Sequence, residues 1–207
     1  TCADTTENHD CRIAVTAANI TVDVGASMDA SGKGYPANTW WQYQSWPTDG
    51  SPGGSHGGRA YASSTYASNP VYGNLYDPDT LGAGGRYGKG GGIVRLDVSD
   101  TLTVNGQINA DAQYATSNGY NGAGGSISIR ANVITGQGTV HANGAYYSSS
   151  SVGCGSGGRI ALLDYTSLGG SFVTSLEAGS FGVQAYGGNG SRSGAAGTVY
   201  MQSATDA

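Results

Sequence analysis

The stretch GAGGSISIRANVITGQGTVHANGA, from Gly122 to Ala145, predicts the fold of this chain. It contains a glycine run, an alternating apolar and polar pattern at 126–129, a second apolar pair, a Gly-Gln-Gly turn and a third short pattern at 139–142. Alternation with a period of two is typical of a β-strand that buries one face. The stretch therefore predicts three short strands joined by glycine turns, without a helix.

The same unit recurs along the chain. Its closing part appears as GQINA at 106–110 and as GTVHA at 138–142, and GASMDASG at 25–32 is an earlier copy. A fixed period of a few tens of residues is typical of repeats that stack on their neighbours. The sequence therefore predicts an all-β fold, a parallel β-helix or solenoid with coils of about 33 residues. Four apolar residues that follow glycine runs mark the period, at spacings of 33, 33 and 39 residues: Val94, Ile127, Ile160 and Val199.

The 207 residues are expected to form a single β-solenoid domain. Residues 1–12 are polar and are predicted to form an N-terminal cap. Residues 34–92 interrupt the repeat and are predicted to be one long aromatic and Gly-rich insertion at a corner of the solenoid. Because a loop of this length is usually functional, the insertion and the shorter Tyr/Ser-rich segments between coils are expected to form one functional edge. The three tryptophans of the insertion are expected to cover the core beneath it: Trp40, Trp41 and Trp46.

Composition excludes several classes of partner. The net charge is −5 and there are only nine Lys and Arg residues, so no basic stripe is available for nucleic acid. No run of 18 apolar residues occurs, so no membrane span is expected. There are 14 Tyr but only 2 Phe, so most of the aromatic surface carries a hydroxyl group, which suits contact loops better than a thick core.

Cysteines and sequons favour an extracellular or cell-surface location. Cys2 and Cys11 flank a short polar loop and are predicted to form a disulfide. Cys154 is then left over, and it is either a thiol for intermolecular pairing or a small buried residue in a tight corner. Asn19 and Asn189 each begin an Asn-x-Ser/Thr sequon, so both are predicted glycosylation sites.

The sequence shows no motif for catalysis, for a cofactor or for a metal. His56 lies in GGSHGG, where a hydrogen-bonding role is favoured over catalysis or metal binding. Asp77 and Asp79 form an Asp-Pro-Asp segment that can bind calcium but is also ordinary turn chemistry. The charged residues are scattered in the sequence, unlike the clustered acids and bases that a polysaccharide-cleaving enzyme needs. We therefore predict no catalytic residue, no cofactor and no metal site.

Loop tyrosines are the best candidates for contact with a partner. Amphipathic rings contribute much of the energy of protein interfaces and also stack on sugars. The predicted interaction residues lie in the segments between coils: Tyr114, Tyr120, Tyr146, Tyr147 and Cys154.

Five segments resemble the glycine-rich β-solenoid repeats of large secreted or surface proteins of protists, algae and some bacteria. The resemblance covers most of the chain from about residue 13. It implies a building block or adhesive module of an extracellular filament, such as a flagellar hair or a coat fibre, and it carries over no catalytic residue. The segments are GGSHGGRAY (53–61), GKGGGIVRLDV (88–98), TLTVNGQINADA (101–112), GAGGSISI (122–129) and GCGSGGRIAL (153–162).

The leading hypothesis is a non-enzymatic extracellular structural module that assembles into or decorates a filament through stacked strands and Tyr/Gly-rich loops. Its expected partners are copies of itself or related chains, and carbohydrate is a further candidate. One alternative is a carbohydrate-binding or adhesin module, and another is a polysaccharide-cleaving β-helix enzyme. Ice binding needs matching ranks of threonine, and the expected pairing of Thr101 with Val133 interrupts such a rank.

Overall fold

The computed structural model describes residues 12–40, 44–45, 53–61, 67–114, 120–146, 153–173 and 182–206. These ranges form short strands and one 3-10 turn at Gly170–Phe172. The N-terminal strands are β1 (Arg12–Ala17), β2 (Ile20–Val22), β3 (Ser27–Asp29), β4 (Thr39–Trp40) and β5 (Gln44–Ser45). The remaining strands are β6 (Ile93–Val104), β7 (Gln107–Asn109), β8 (Ser126–Thr135), β9 (Thr139–His141), β10 (Arg159–Tyr165), β11 (Ser167–Leu168), β12 (Val183–Gln184) and β13 (Thr198–Ser203).

Two parallel sheets make up most of the structure. The large sheet has seven strands in the order β1-β6-β8-β10-β13, with β2 beside β6 and β11 beside β8. The small sheet has four strands in the order β12-β9-β7-β3. Strands β4 and β5 form a separate antiparallel pair.

The strand register follows the sequence repeat. In the large sheet, residues that recur at the repeat spacing lie directly opposite one another on neighbouring strands. Apolar side chains from both sheets pack into one shared core. Because few of these side chains are large, the chain buries enough apolar surface only by combining both sheets. The inward rows are Val94, Ile127, Ile160 and Val199 in the large sheet, and Met28, Ile108, Val140 and Val183 in the small one.

The prediction of a parallel β-helix or solenoid with coils of about 33 residues is wrong. The strands gather into a large central parallel sheet and a smaller second sheet, an arrangement closer to the sheets of α/β proteins, although the described residues contain almost no helix. The physical reason is that a sequence period indicates which strands pair but does not determine the path of the chain between those strands. Between the two sheets the chain runs through glycine-rich segments that are not strands, and residues 34–92 separate the first strands from β6.

These segments form what we call the glycine layer: residues 53–58, 82–85, 88–92, 122–125, 153–158 and 194–197. The successive N–H groups of Ala123, Gly124 and Gly125 donate to three different segments, at Ala83 (2.8 Å), Ser156 (3.0 Å) and Ala110 (2.7 Å) respectively. The segments therefore bond in several directions, whereas a strand in a flat sheet bonds only to its two neighbours.

Close backbone contact explains the glycines of this layer. A methyl group placed on Gly125 would collide with the backbone of Gly91 and Gly92. Glycines in such repeats can supply positive φ at corners or let backbones approach closely, and the glycines of positive φ lie outside this layer, for example Gly25 (81°) and Gly136 (116°). What the layer requires is the absence of a Cβ atom.

Residues 34–92 are more closely integrated than the predicted insertion. Parts of this segment belong to the glycine layer, and Tyr72 and Leu81 pack with Ile93 and Ala123 in a second small apolar cluster. Trp41, Trp46 and most of the predicted N-terminal cap lie outside the described residues.

Candidate interaction surface

Exposed tyrosines occupy matching positions just beyond the small sheet. Backbone pairing continues past its strands, because Ala112 N–H donates to Asn143 O (2.9 Å) and Gly144 N–H donates to the carbonyl of Tyr186 (2.8 Å). Tyr114 and Tyr146 each lie two residues further along, and they are 50% and 51% exposed. The repeat thus places two exposed tyrosines at equivalent positions beyond β7 and β9.

Two further tyrosines join this surface. Tyr186 is 56% exposed and Tyr87 is 45% exposed. Tyr87 is tied to the same region, because its N–H donates to the carbonyl of Tyr120 (3.2 Å) and the Arg86 guanidinium lies 5.1 Å from its ring centre. We call Tyr87, Tyr114, Tyr146 and Tyr186 the tyrosine surface. Sequence reasoning missed Tyr186, although its position directly after a copy of the third strand was a signal.

The other predicted interaction residues have different outcomes. Tyr120 is half-buried, and Tyr147 lies outside the described residues. Cys154 is fully buried, so the predicted surface contact through its side chain is wrong. The physical reason is its position in the glycine layer, where its N–H donates to the carbonyl of Arg192 (2.9 Å). The alternative of a small buried residue in a tight corner describes Cys154 correctly.

The structure describes both predicted glycosylation sites but neither cysteine of the predicted disulfide. Asn19 and Asn189 are both exposed. The side-chain oxygen of Asn19 accepts a hydrogen bond from Thr101 N–H (3.2 Å), which leaves its amide nitrogen available for a glycan. Glycosylation stays a prediction at both positions. Cys2 and Cys11 lie outside the described residues, so their disulfide stays a prediction too.

The ends of the large sheet leave core rows partly uncovered. In one inward row the middle residues Leu96, Ile129 and Leu162 are fully buried. At the two ends of the same row, Val15 on β1 and Met201 on β13 are only half-buried. In the described part of the chain, β1 and β13 are the outermost strands of this sheet. Each end therefore presents a strand edge together with apolar side chains of core type.

The outer face of the large sheet carries a charged cluster that the sequence did not predict. The register places Asp97 opposite Arg130, and Arg95 Nη1 reaches Asp77 Oδ1 at 3.0 Å. Arg130 also pairs with Asp164 at 2.6 Å. These charges are scattered in the sequence, and the fold gathers them, because parallel pairing brings residues about one repeat apart onto one face.

The charged cluster is internally paired. Partial burial acts to raise the pKa of Asp77, but hydrogen bonds from Ser128 and Arg95 and the charges of Arg95 and Arg130 outweigh it, so this pKa lies below its ordinary value. The side chains of Asp77 and Arg95 remain about a third exposed, at 36% and 31%. Exposed pairs of this kind contribute about 0–1 kcal/mol each, which suits a solvated surface network.

His56 is fully buried at the junction of three segments. Its Nδ1 lies 2.8 Å from the carbonyl of Gly124 and its Nε2 lies 2.8 Å from Thr80 Oγ1. Burial, with the charge of Arg159 as a smaller cause, lowers the pKa of His56 to about 4, so the imidazole is neutral at neutral pH. A carbonyl only accepts, so Nδ1 carries the proton and Nε2 accepts from the Thr80 hydroxyl.

The pair of His56 and Thr80 has the spacing of a base and its nucleophile. Two observations favour a structural role instead. A methyl group on Gly73 would collide with Thr80 Oγ1, which shows how closely the backbone encloses this hydroxyl. An imidazole with a pKa of about 4 is also a weak base at neutral pH. His56 therefore serves to hold residues 53–58 to residues 122–125 within the glycine layer.

Comparison with known protein families, with curated proteins and with solved structures gave no match to this chain. Among the described residues, no helix has the length and apolar character needed to cross a membrane. Nor do those residues contain a group of three or more His, Cys, Asp or Glu side chains placed to hold a metal ion. Function is therefore inferred from the surfaces described above.

Proposed function

We propose that this chain is a non-enzymatic extracellular structural module that assembles with other protein chains into a filament or decorates one. The observation that carries the proposal is the pair of partly uncovered ends of the large sheet. An exposed strand edge is a template for pairing with another chain. If β1 of one molecule pairs with β13 of the next, the parallel sheet continues and the half-buried Val15 and Met201 become covered.

Such a contact joins two different surfaces of the same chain. A contact of this head-to-tail kind gives an open filament when its rotation does not close a ring. The partners are then copies of this chain or related chains with similar ends. The tyrosine surface supplies a second, lateral contact, since exposed tyrosines contribute strongly to protein interfaces.

The extracellular location belongs to the same proposal. It is supported by two exposed sequon residues, Asn19 and Asn189, and by the resemblance to repeats of secreted and surface proteins. The disulfide expected between Cys2 and Cys11 would fit an oxidising compartment.

Rival functions would use other surfaces. A carbohydrate-binding or adhesin module would use the tyrosine surface, and glycan binding at these tyrosines by a chain that remains monomeric would favour it. A polysaccharide-cleaving enzyme would use the charged cluster, and release of products from a uronic-acid polymer would favour it. For ice binding, Thr21, Thr103 and Thr135 do form a row, but the adjacent row is interrupted where Thr101 lies opposite Val133.

Lysine substitutions at the sheet ends test the proposal. Thr16 is exposed on β1, and Gln202 is half-buried on β13, where it alternates with the inward-facing Met201. Because a charge on an edge strand opposes pairing with another chain, we expect Thr16→Lys and Gln202→Lys each to abolish assembly. Thr103→Lys places the same charge on an internal strand and is expected to assemble like the wild type. Sedimentation velocity over a range of concentrations measures the outcome, and a wild type that stays monomeric throughout contradicts the proposal.

A further inference from the structure

The outer face of the small sheet carries a row of uncharged polar side chains. The register pairs Ser27 with Gln107 and Gln107 with Thr139, so these three residues lie in line across β3, β7 and β9. A groove of about 430 Å³ follows this row. Asn105 and Gln137 complete its polar side chains, and the rest of its wall is formed by Gly25, Ala26, Gly106 and Gly138.

The chemistry of the groove is neutral and rich in hydrogen-bonding groups. None of its lining residues carries a charged side chain. The amide oxygen of Asn105 accepts from Gln137 N–H (3.2 Å), and that of Gln107 accepts from Asn109 (3.3 Å). Within the described part of the chain, the hydroxyls of Ser27 and Thr139 and the side-chain amide of Gln137 have no hydrogen-bond partner. These groups are therefore available to a ligand. Such a lining offers little to an ion and much to a ligand with hydroxyl groups.

A second observation lies one step further along the same strands. Asn109 follows Gln107 by two residues and His141 follows Thr139 by two, so both face the same side of the sheet as the groove. The amide oxygen of Asn109 and Nε2 of His141 are buried and have no hydrogen-bond partner in the described part of the chain. Buried polar atoms without partners are rare because they cost stability, so each requires an explanation. Both residues are half-buried, so a rotation of either side chain would bring its atom to the face of the sheet, where a hydroxyl-bearing ligand can satisfy it.

The geometry points to a binding site for a neutral saccharide on this face of the small sheet. Sugar hydroxyls both donate and accept, which matches a lining of amides and hydroxyls. Equivalent groups repeat across the strands at about 4.8 Å, so the face offers regularly spaced partners to a chain of sugar units. A peptide strand would need a free edge and apolar pockets, and the Gly and Ala parts of the wall provide no such pocket. The proposed site lies on the face of the small sheet, whereas the proposed assembly contacts lie at the edges of the large sheet. Saccharide binding therefore does not depend on assembly.

Binding to the full chain can be measured by NMR titration of ¹⁵N-labelled protein. The probes are soluble β-1,4-glucan and α-mannan oligosaccharides, with oligogalacturonate as an anionic comparison. We expect at least one neutral probe to bind and to shift the signals of Gln107, Thr139 and His141. The double variant Gln137→Ala/Thr139→Val removes two unpartnered polar groups and should weaken that binding at least fivefold. Thr16→Val removes an exposed hydroxyl from another sheet and should leave the binding unchanged.

Three results would overturn the inference. One is that no neutral probe shifts these signals at millimolar concentration, and another is that oligogalacturonate alone binds. The third is binding that the double variant and the Thr16→Val control weaken equally, since that would place the ligand elsewhere. Assembly of the double variant, followed by sedimentation, should match the wild type whatever the sugar result. A failure of this inference is thereby distinguishable from a failure of the proposed function.

Discussion

Replacing Gly91 by alanine is expected to reduce the free energy of unfolding by about 4 kcal/mol. The added methyl group would collide with the carbonyl of Ala110 and the amide nitrogen of Gly125, which are hydrogen-bonded to each other at 2.7 Å. Gly91 itself donates to Ala123 and accepts from Gly82 (both 2.9 Å), so it cannot move away without losing those bonds. Overpacking costs about 1–3 kcal/mol and a buried polar group left unpaired costs about 1–3 kcal/mol more.

Two control variants separate steric collision from other effects of losing a glycine. A methyl group on Gly25 meets nothing within 4 Å, and its φ of 81° leaves only backbone strain of about 1–2 kcal/mol. A methyl group on Gly153 meets the rings of Tyr61 and Tyr120, at 3.1 and 3.3 Å, and these side chains can shift. Urea unfolding followed by circular dichroism should place Gly91→Ala as the most destabilised of the three. A loss no greater than that of Gly25→Ala contradicts the close-packed glycine layer.

Acidification from pH 7 to pH 4 is expected to remove about 3 kcal/mol of stability through His56. In the unfolded chain this imidazole has its ordinary pKa of 6.5, whereas burial lowers the pKa to about 4 in the folded chain. Between these values the unfolded chain binds the proton more readily, so stability falls as the pH falls through this window. Each unit of difference between the pKa values of the folded and unfolded chains corresponds to about 1.4 kcal/mol.

The measurement is urea unfolding at pH 7, 5 and 4, for the wild type and for His56→Gln. Glutamine cannot take up the proton, so the variant should start less stable at pH 7 and lose less stability on acidification. Subtracting the two curves removes the contribution of carboxylates such as Asp77, which both proteins share. His141→Gln, outside the His56 hydrogen-bond network, should keep the steep loss of the wild type. Equal pH dependence in the wild type and His56→Gln would show that His56 does not cause it.

Strand pairing was predictable from the sequence. The spacing of Val94, Ile127 and Ile160 identified residues that lie opposite one another, because parallel pairing without a shift preserves a sequence period. Tyr114 and Tyr146 were predicted to be contact residues of the segments between coils, and their exposure is consistent with that role, which stays a prediction. The predicted solenoid was wrong because the sequence period carries no information on the path of the chain between the two sheets.

The glycine layer and the functional groups beside it were harder to predict. Nothing in a local pattern distinguishes a glycine needed for positive φ from Gly91, which is needed because another backbone lies against it. The burial of Cys154 and the pairing of Asp77 with Arg95 follow from that packing and from the register. The polar row at Gln107 and Thr139 was visible as alternation in the sequence, but its groove depends on the turns beside it.

Electron cryo-microscopy of the native protein tests most directly whether this chain assembles through its sheet ends. We expect filaments, or chains joined to partner chains, in which β13 of one molecule lies beside β1 of the next and the large sheet continues across the junction. In that arrangement Val15 and Met201 become fully covered, as Leu96 and Ile129 already are within one chain. Dispersed monomers, or chains joined only through the charged face of the large sheet, would contradict the account.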